Sequence, residues 1–125
     1  MNIFEICRNI GDMEIKVKAI FGMGCITSYA EGEGCDINEV FNLLASFASQ
    51  DNETAFKGIN FAKKMTYYGH VSYCYLMDLV PFSKQKVMTV FDDPENIVSN
   101  LTRFTEAFTR IMPTEHDLGK ETKKK

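Results

Sequence analysis

The stretch over residues 65–82, MTYYGHVSYCYLMDLVPF, constrains the fold most, because it holds four of the five tyrosines and carries almost no charge. Residues of this kind favour a buried or half-buried strand. We therefore predict a strand over residues 71–80, which Pro81 ends because proline cannot donate a hydrogen bond to a sheet. Gly69 and His70 form the turn into it from another strand over residues 57–68. Residues 54–66 also fit a helix, against which Gly58 argues.

A helix and three further strands surround this stretch. Apolar residues at helical spacing, with Gly11 as a stop, predict a helix over residues 2–10. Residues 14–21 alternate between apolar and charged side chains, which predicts a strand with one solvent-facing side. A turn at Gly22-Met23-Gly24 leads into a second strand over residues 25–31. Residues 86–91 form the last strand.

Two amphipathic helices carry clear start signals. In the helix over residues 36–50, Asp36 takes the N-cap position and Glu39 follows at the spacing of a capping box. The second helix starts at Asp93 as its N-cap, and Pro94 takes the first helical position, where no N–H is needed. Both helices offer an apolar face that can cover a sheet.

The element order is therefore α-β-β-α-β-β-β-α. It predicts an α/β domain of the α+β kind, in which a five-stranded antiparallel sheet is covered by helices. At 125 residues the chain can bury one hydrophobic core. We predict a single domain over residues 1–113 and a disordered polar and basic tail over residues 114–125.

Charge and apolar length limit the classes of partner. Of the 14 basic and 17 acidic groups, residues 120–125 hold four and one, which leaves a net charge of −6 on the rest. Such a body repels phosphate backbones, which argues against nucleic acid as a partner. Asp78 and Pro81 interrupt the longest apolar run, so we predict no membrane span. The lack of a signal peptide and the four cysteines predict a cytoplasmic protein with free thiols.

His70 and Cys74 are the candidate base and nucleophile nearest to each other in the sequence. On a strand they share a face, but their Cα atoms lie about 13 Å apart, which is too far for catalysis. On a helix the same spacing would bring them together. The cysteines lack the paired spacing of a zinc site, and no phosphate-binding glycine loop is present. We predict no catalytic, metal or cofactor site, and a protein that is not an enzyme.

Five residues are candidates for contact with a partner. Tyr67, Tyr68 and His70 lie at the turn into the aromatic strand, and tyrosine combines apolar area with a polar group. Phe41 and Phe47 lie on the first amphipathic helix. We predict that these five side chains contribute to a binding surface.

Three segments resemble the Roadblock/LC7 family, whose fold is similar to those of longin and profilin domains. They are IKVKAIFGMGCITSYAEG, DINEVFNLLASFAS and KVMTVFDDPENIVSNLTRFTEAF. The resemblance implies a protein without enzymatic activity that forms a homodimer through the helix carrying Phe41 and Phe47 and through an edge strand. It also implies association with a small GTPase or a scaffold role in a larger complex.

The leading prediction is therefore a small protein-interaction or scaffold module. The first alternative is a small-molecule-binding sensor domain, which a central cavity lined by Tyr73, Tyr75 and Phe104 would support. The second alternative is an inhibitor encoded by a virus or a mobile element, which would act by occluding a host protein. What the chain binds would distinguish the three.

Overall fold

The structure, a computed structural model, describes residues 2–48 and 52–111, and the side chains of residues 2–45 and 58–107. Within these residues the chain forms a pair of strands followed by five helices. The strands are β1 (Ile3–Ile10) and β2 (Met13–Ile20). The helices are α1 (Met23–Glu33), α2 (Ile37–Ala48), α3 (Asn52–Met77), α4 (Lys84–Val90) and α5 (Ile97–Ile111).

The chain begins with a β-hairpin. β1 pairs antiparallel with β2 along the full length of both strands. Gly11 opens the two-residue turn with a φ of 59°, a conformation that favours glycine. The predicted helix over residues 2–10 is wrong, and the predicted strand over residues 14–21 is confirmed as β2.

One face of this hairpin belongs to the core. Phe4 and Ile6 of β1 lie opposite Ala19 and Val17 of β2, and all four side chains are buried. The apolar residues of β1 also fit a helical pattern when they are considered alone. Pairing with β2 overrides that local preference, because it satisfies the backbone while burying the apolar face.

The predicted five-stranded sheet is wrong: the described residues form a two-stranded antiparallel sheet, and the fold is α+β with five helices. The four other predicted strands fall largely within α1, α3 and α4; they are the segments 25–31, 57–68, 71–80 and 86–91. In α1 the buried residues come as adjacent pairs four positions apart, which is the pattern of a helix and not of a strand: Cys25, Ile26, Tyr29 and Ala30.

α3 is the central element, since it contacts β2 and each of the other helices. Its buried face recurs at helical spacing and consists of Phe61, Ala62, Met65, Thr66, Gly69 and His70. The aromatic stretch over residues 65–82 is therefore central to the fold, but its greater part is helix. Because small and polar residues occupy part of the buried face, a search for an apolar stripe does not recognise this helix.

The two predicted amphipathic helices are confirmed as α2 and α5. Asp36 caps α2, because its carboxylate accepts a hydrogen bond from the Asn38 N–H at 3.4 Å. α5 begins at Ile97, later than predicted. The residues before it form a turn in which the Asp93 carboxylate accepts hydrogen bonds from the Glu95 N–H and the Asn96 side chain.

The core lies between the hairpin, α3 and α5. Four phenylalanine rings pack there in tilted and edge-on contacts with centroid separations from 5.4 to 6.5 Å, namely Phe4, Phe21, Phe61 and Phe104. Phe104 comes from the predicted apolar stripe of α5 and is fully buried.

Three further predictions concern the chain as a whole. The predicted tail over residues 114–125 lies outside the described residues, and the single domain over residues 1–113 stays a prediction. In the ranges 2–48 and 52–111, every helix is too short or too polar to cross a membrane. All four cysteines are free thiols, as predicted. A cytoplasmic location stays a prediction.

Candidate functional site

The 75–80 segment, at the end of α3, exposes large apolar side chains. Its five apolar residues are each more than half exposed, from Leu79 at 54% to Val80 at 91%. Single exposed apolar residues are common on protein surfaces. Five of them within six positions form a patch, and patches of this kind mark interaction sites.

Backbone hydrogen bonds hold this segment in a defined turn. The Leu79 N–H donates to the Cys74 carbonyl at 2.8 Å, and the Asp78 N–H donates to the Tyr75 carbonyl at 3.5 Å. This is the pattern of a Schellman helix end. Asp78 has a φ of 60°, in the position that glycine usually holds, and aspartate tolerates this conformation better than most residues. The turn therefore presents its apolar side chains on an ordered backbone.

His70 fixes the residues that follow this turn. Its Nδ1 lies 2.8 Å from the Lys18 carbonyl oxygen, and its Nε2 lies 3.0 Å from the Phe82 backbone nitrogen. A carbonyl can only accept and a backbone N–H can only donate, so Nδ1 carries the proton of the neutral ring. The imidazole also stacks on the Phe82 ring with 5.3 Å between centroids. His70 thus joins β2 to the loop between α3 and α4 at Phe82.

A groove of about 470 Å³ lies between β2 and the end of α3. Residues of the hairpin form one side, and residues of α3 and of the loop after it form the other; they are Glu5, Lys16, Lys18, His70, Tyr73, Cys74, Leu79, Val80 and Phe82. Leu79 and Val80 belong to both the groove and the 75–80 segment. We call the segment and the groove together the docking face.

The lysines of this groove differ in their contacts. Lys16 forms an ion pair with Glu14 at 3.3 Å, and both side chains are well exposed. The Lys18 ammonium has no ion pair with any described residue. Lys18 is therefore available for an ion pair with an acidic group.

Cys74 and His70 are in contact, and the separation of about 13 Å expected for a strand is wrong. They lie one turn apart on α3, with the Cys74 Sγ 3.5 Å from the His70 Nε2. This nitrogen already accepts the Phe82 N–H, which leaves it unsuited to take the thiol proton. Burial raises the pKa of Cys74, which favours the unreactive thiol. The pair is not arranged as an activated nucleophile.

Tyr68 joins three helices through the Glu33 carboxylate. Its hydroxyl donates to Glu33 Oε2 at 2.7 Å, and Lys64 and Lys84 form ion pairs with the same carboxylate. Burial alone would raise the pKa of Glu33. Hydrogen bonds from Lys84, Tyr68 and Lys64 outweigh burial and lower this pKa to about 2.

The structure places the predicted binding residues in separate surroundings. Tyr68 contacts Glu33 of α1, and Tyr67 packs against the Tyr68 ring. Phe41 is half-buried against the core, and the Phe47 side chain lies outside the described residues. Only His70 among the described members of this set lines the groove. Their contact with a partner stays a prediction.

The sequence patterns do not identify the 75–80 segment as an exposed surface. Tyrosine, leucine and valine favour both strands and interiors, so the run is assigned to a buried strand. Asp78 and Pro81 are the available signals, because a charge and a proline interrupt the apolar run at the point where the helix ends.

Among the described residues, no three His, Cys, Asp or Glu side chains are grouped to hold a metal ion. Comparison of the chain with protein-family models, curated proteins and solved structures gives no match. The similarity to Roadblock/LC7 proteins stays a prediction, although the element order that supported it is not the order in the structure.

Proposed function

We propose that this chain is a protein-binding module, and not an enzyme, that holds its partner at the docking face. The 75–80 segment carries this proposal, since five large apolar side chains are exposed on a hydrogen-bonded turn. Full burial of one such side chain is worth about 1.5–3 kcal/mol. A partner that covers the segment would gain a large part of that free energy.

The size of the docking face suits a protein better than a small molecule. Five exposed large side chains present on the order of several hundred Å² of apolar surface, comparable with the largest patch on a typical monomer. A standard protein interface buries about 800 Å² on each side. The segment and the adjoining groove supply much of that area.

The sensor alternative has less support. Tyr73 and Tyr75 line different grooves. Phe104 is fully buried in the core, where it packs against Phe21 at 5.4 Å between ring centroids. The three residues therefore do not share the central cavity that would support small-molecule binding.

Several kinds of partner are compatible with an exposed apolar face. A small GTPase, a larger scaffold, or a host protein occluded by an inhibitor would each bury it. The homodimer predicted through Phe41 and Phe47 would use α2 instead. Among its described side chains, the outward face of α2 carries the exposed polar residues Asn38, Glu39 and Asn42 beside a single large apolar residue, Leu43, that is 41% exposed. The docking face exposes five such residues, so we propose it as the interface.

Affinity purification with matched variants tests this proposal. Val80→Asp places a charge in the 75–80 segment, and Val98→Asp places the same charge on α5, where Val98 is 74% exposed. Both substitutions are at the surface, so both variants should unfold within about 0.5 kcal/mol of the wild type. Wild type and V98D should retain the same proteins from a lysate of the source cells, whereas V80D should retain them about tenfold less.

Quantitative mass spectrometry of the three retained sets gives the answer. Equal retention of every protein by wild type, V80D and V98D would contradict the proposal. A loss on V98D that equals the loss on V80D would also contradict it, because the interface would not be confined to the docking face.

A further inference from the structure

The two outer edges of the hairpin differ, and one of them borders the docking face. We infer that the partner contributes an extended segment, which pairs with the outer edge of β2 and places alternate side chains in the groove. This inference rests on the proposed function, because the groove is part of the docking face. It adds the conformation and the chemistry of the segment that binds.

The outer edge of β1 is closed by side chains. Asn100 of α5 is fully buried; it accepts a hydrogen bond from the Cys7 N–H at 3.1 Å and donates one to the Cys7 carbonyl at 2.9 Å. The Asp93 carboxylate accepts a hydrogen bond from the Asn9 N–H at 3.2 Å. These side chains occupy the positions at which another strand would pair.

The outer edge of β2 is open over part of its length. Cys7 lies opposite Lys16, and since Cys7 points its N–H and carbonyl away from β2, Lys16 points its own away from β1. The backbone groups of Glu14 and Lys18 point outward for the same reason. His70 donates a hydrogen bond to the Lys18 carbonyl. The outward N–H and carbonyl groups of Glu14 and Lys16 have no hydrogen-bond partner among the described residues.

The groove beside this edge defines the side chains that a bound segment would carry. Tyr73, Leu79 and Val80 form an apolar wall, and the hairpin side carries Glu5, Lys16 and Lys18. Lys16 is paired with Glu14, whereas Lys18 is exposed and has no ion pair with a described residue. An added strand directs every second side chain to the same face. An apolar residue against the wall, with an aspartate or glutamate near Lys18, would match both features. Main-chain hydrogen bonds then give affinity, and the alternate side chains give specificity.

A second copy of this chain matches the open edge less well. In one antiparallel register of two β2 edges, Glu14 lies opposite Lys18 but Lys16 lies opposite Lys16, an unfavourable like-charge pair. In the other, Glu14 lies opposite Lys16 and Lys18 lies opposite Asp12, in the hairpin turn. A polar turn would then face the apolar wall and leave it uncovered. The acidic body also repels a copy of itself. A different protein is therefore the better occupant.

Displayed peptides test this inference on the full chain. Random peptides of about ten residues, as long as the longest common strands, are selected on the immobilised wild type. Lys16→Pro removes the outward N–H without removing a hydrogen bond of the hairpin, and Lys16→Ala removes only the charged side chain. Selected peptides should alternate apolar and acidic residues, and they should bind K16A within a few-fold of wild type. They should bind K16P about tenfold more weakly or worse.

Amide exchange gives a readout that does not depend on the proline variant. In wild type bound to a selected peptide, NMR should show slowed exchange of the Glu14 and Lys16 N–H groups. Unchanged exchange at both groups, undiminished binding to folded K16P, or a library that yields no binding peptide would each overturn the inference. Slowed exchange without peptide, together with a dimer mass in sedimentation, would overturn it in favour of a second copy.

The Val80→Asp variant separates this inference from the proposed function. Peptides that bind V80D weakly but K16P normally would leave the docking face in place and overturn only the strand pairing. Peptides that bind both variants as well as wild type would overturn both proposals.

Discussion

Gly69 allows α3 to approach the hairpin closely. A Cβ atom at this position would lie 2.7 Å from the Ile20 carbonyl oxygen and 3.2 Å from the Ala19 Cβ. Helix propensity favours alanine over glycine by about 1 kcal/mol, so local preference and packing oppose each other here. Packing prevails, because the atoms that a Cβ would meet belong to the sheet and cannot move without disturbing the core.

Gly69→Ala should therefore destabilise the protein by about 1–3 kcal/mol, in the range of overpacked core substitutions. Urea denaturation would show this as a lower midpoint with an unchanged slope. Gly24→Ala on α1 is the control, since nothing lies within 4 Å of the added Cβ. If G69A is as stable as wild type, the close contact between α3 and β2 is absent.

Thr66 carries a buried hydroxyl that has no hydrogen-bond partner among the described residues. An unsatisfied buried polar group costs about 1–3 kcal/mol. Thr66→Val replaces the hydroxyl by a methyl group of similar size, so we expect it to stabilise the protein by about 1 kcal/mol. Thermal unfolding should show a higher Tm for T66V and a lower Tm for T66S, which keeps the hydroxyl and loses the methyl group. A lower Tm for T66V would mean that the hydroxyl is hydrogen-bonded.

Among the helices, α1, α3 and α4 are joined by one carboxylate. Glu33 ends α1, Tyr68 and Lys64 come from α3, and Lys84 begins α4. Gly32 makes room for this contact, because a Cβ there would overlap the Tyr68 ring. The network therefore fixes how the three helices meet.

Because of this network, the free energy of unfolding should depend on pH in the acid range. Glu33 has an ordinary pKa near 4.5 and a pKa of about 2 in the folded chain. Its ionised form therefore stabilises the fold above pH 4.5, and this contribution is lost as the pH falls toward 2. Because both lysines are more than one third exposed, solvent screening limits the effect to the order of 1–2 kcal/mol.

Urea unfolding of wild type and Glu33→Gln at pH 7 and at pH 2.5 measures that contribution. At pH 7 the wild type should have a larger free energy of unfolding than E33Q. The difference between the two proteins should be smaller at pH 2.5. Glu14→Gln removes an exposed ion pair with Lys16 and should show little difference at either pH. A gap between wild type and E33Q that stays constant with pH would exclude the ionised network as its source.

The elements that sequence patterns predicted correctly combine a regular apolar face with a polar opposite face or a recognisable start signal. β2 alternates between Ile15, Val17 and Ala19 on one face and charged residues on the other, and α2 and α5 carry apolar stripes after recognisable start signals. α3 could not be recognised in this way. Its buried face includes Ala62, Thr66 and Gly69, whereas Tyr75 and Leu76 face solvent.

The candidate site was less predictable than the fold. His70 is one of the predicted binding residues, and its contact with a partner stays a prediction. Its hydrogen-bond partners Lys18 and Phe82 lie 52 and 12 positions away in the sequence. The docking face depends on where α3 ends and on how the following loop returns to β2. Both follow from tertiary packing, which a periodic pattern in the sequence does not report.

For the whole molecule, α3 both forms the core and carries the docking face. One side of this helix is buried against β2 and the other helices, and its last turn exposes the 75–80 segment. His70 and the Schellman turn connect the core to the docking face through hydrogen bonds. A surface held by such hydrogen bonds is expected to lose less conformational entropy on binding than an unstructured loop.

Hydrogen–deuterium exchange tests the docking face most directly. The measurement compares the free chain with the chain bound to a protein that wild type retains and V80D does not. We predict slower exchange across residues 74–82 and β2 in the complex, with unchanged exchange around Val98 on α5. Slower exchange on α2 or α5, with residues 74–82 unchanged, would contradict the proposed function.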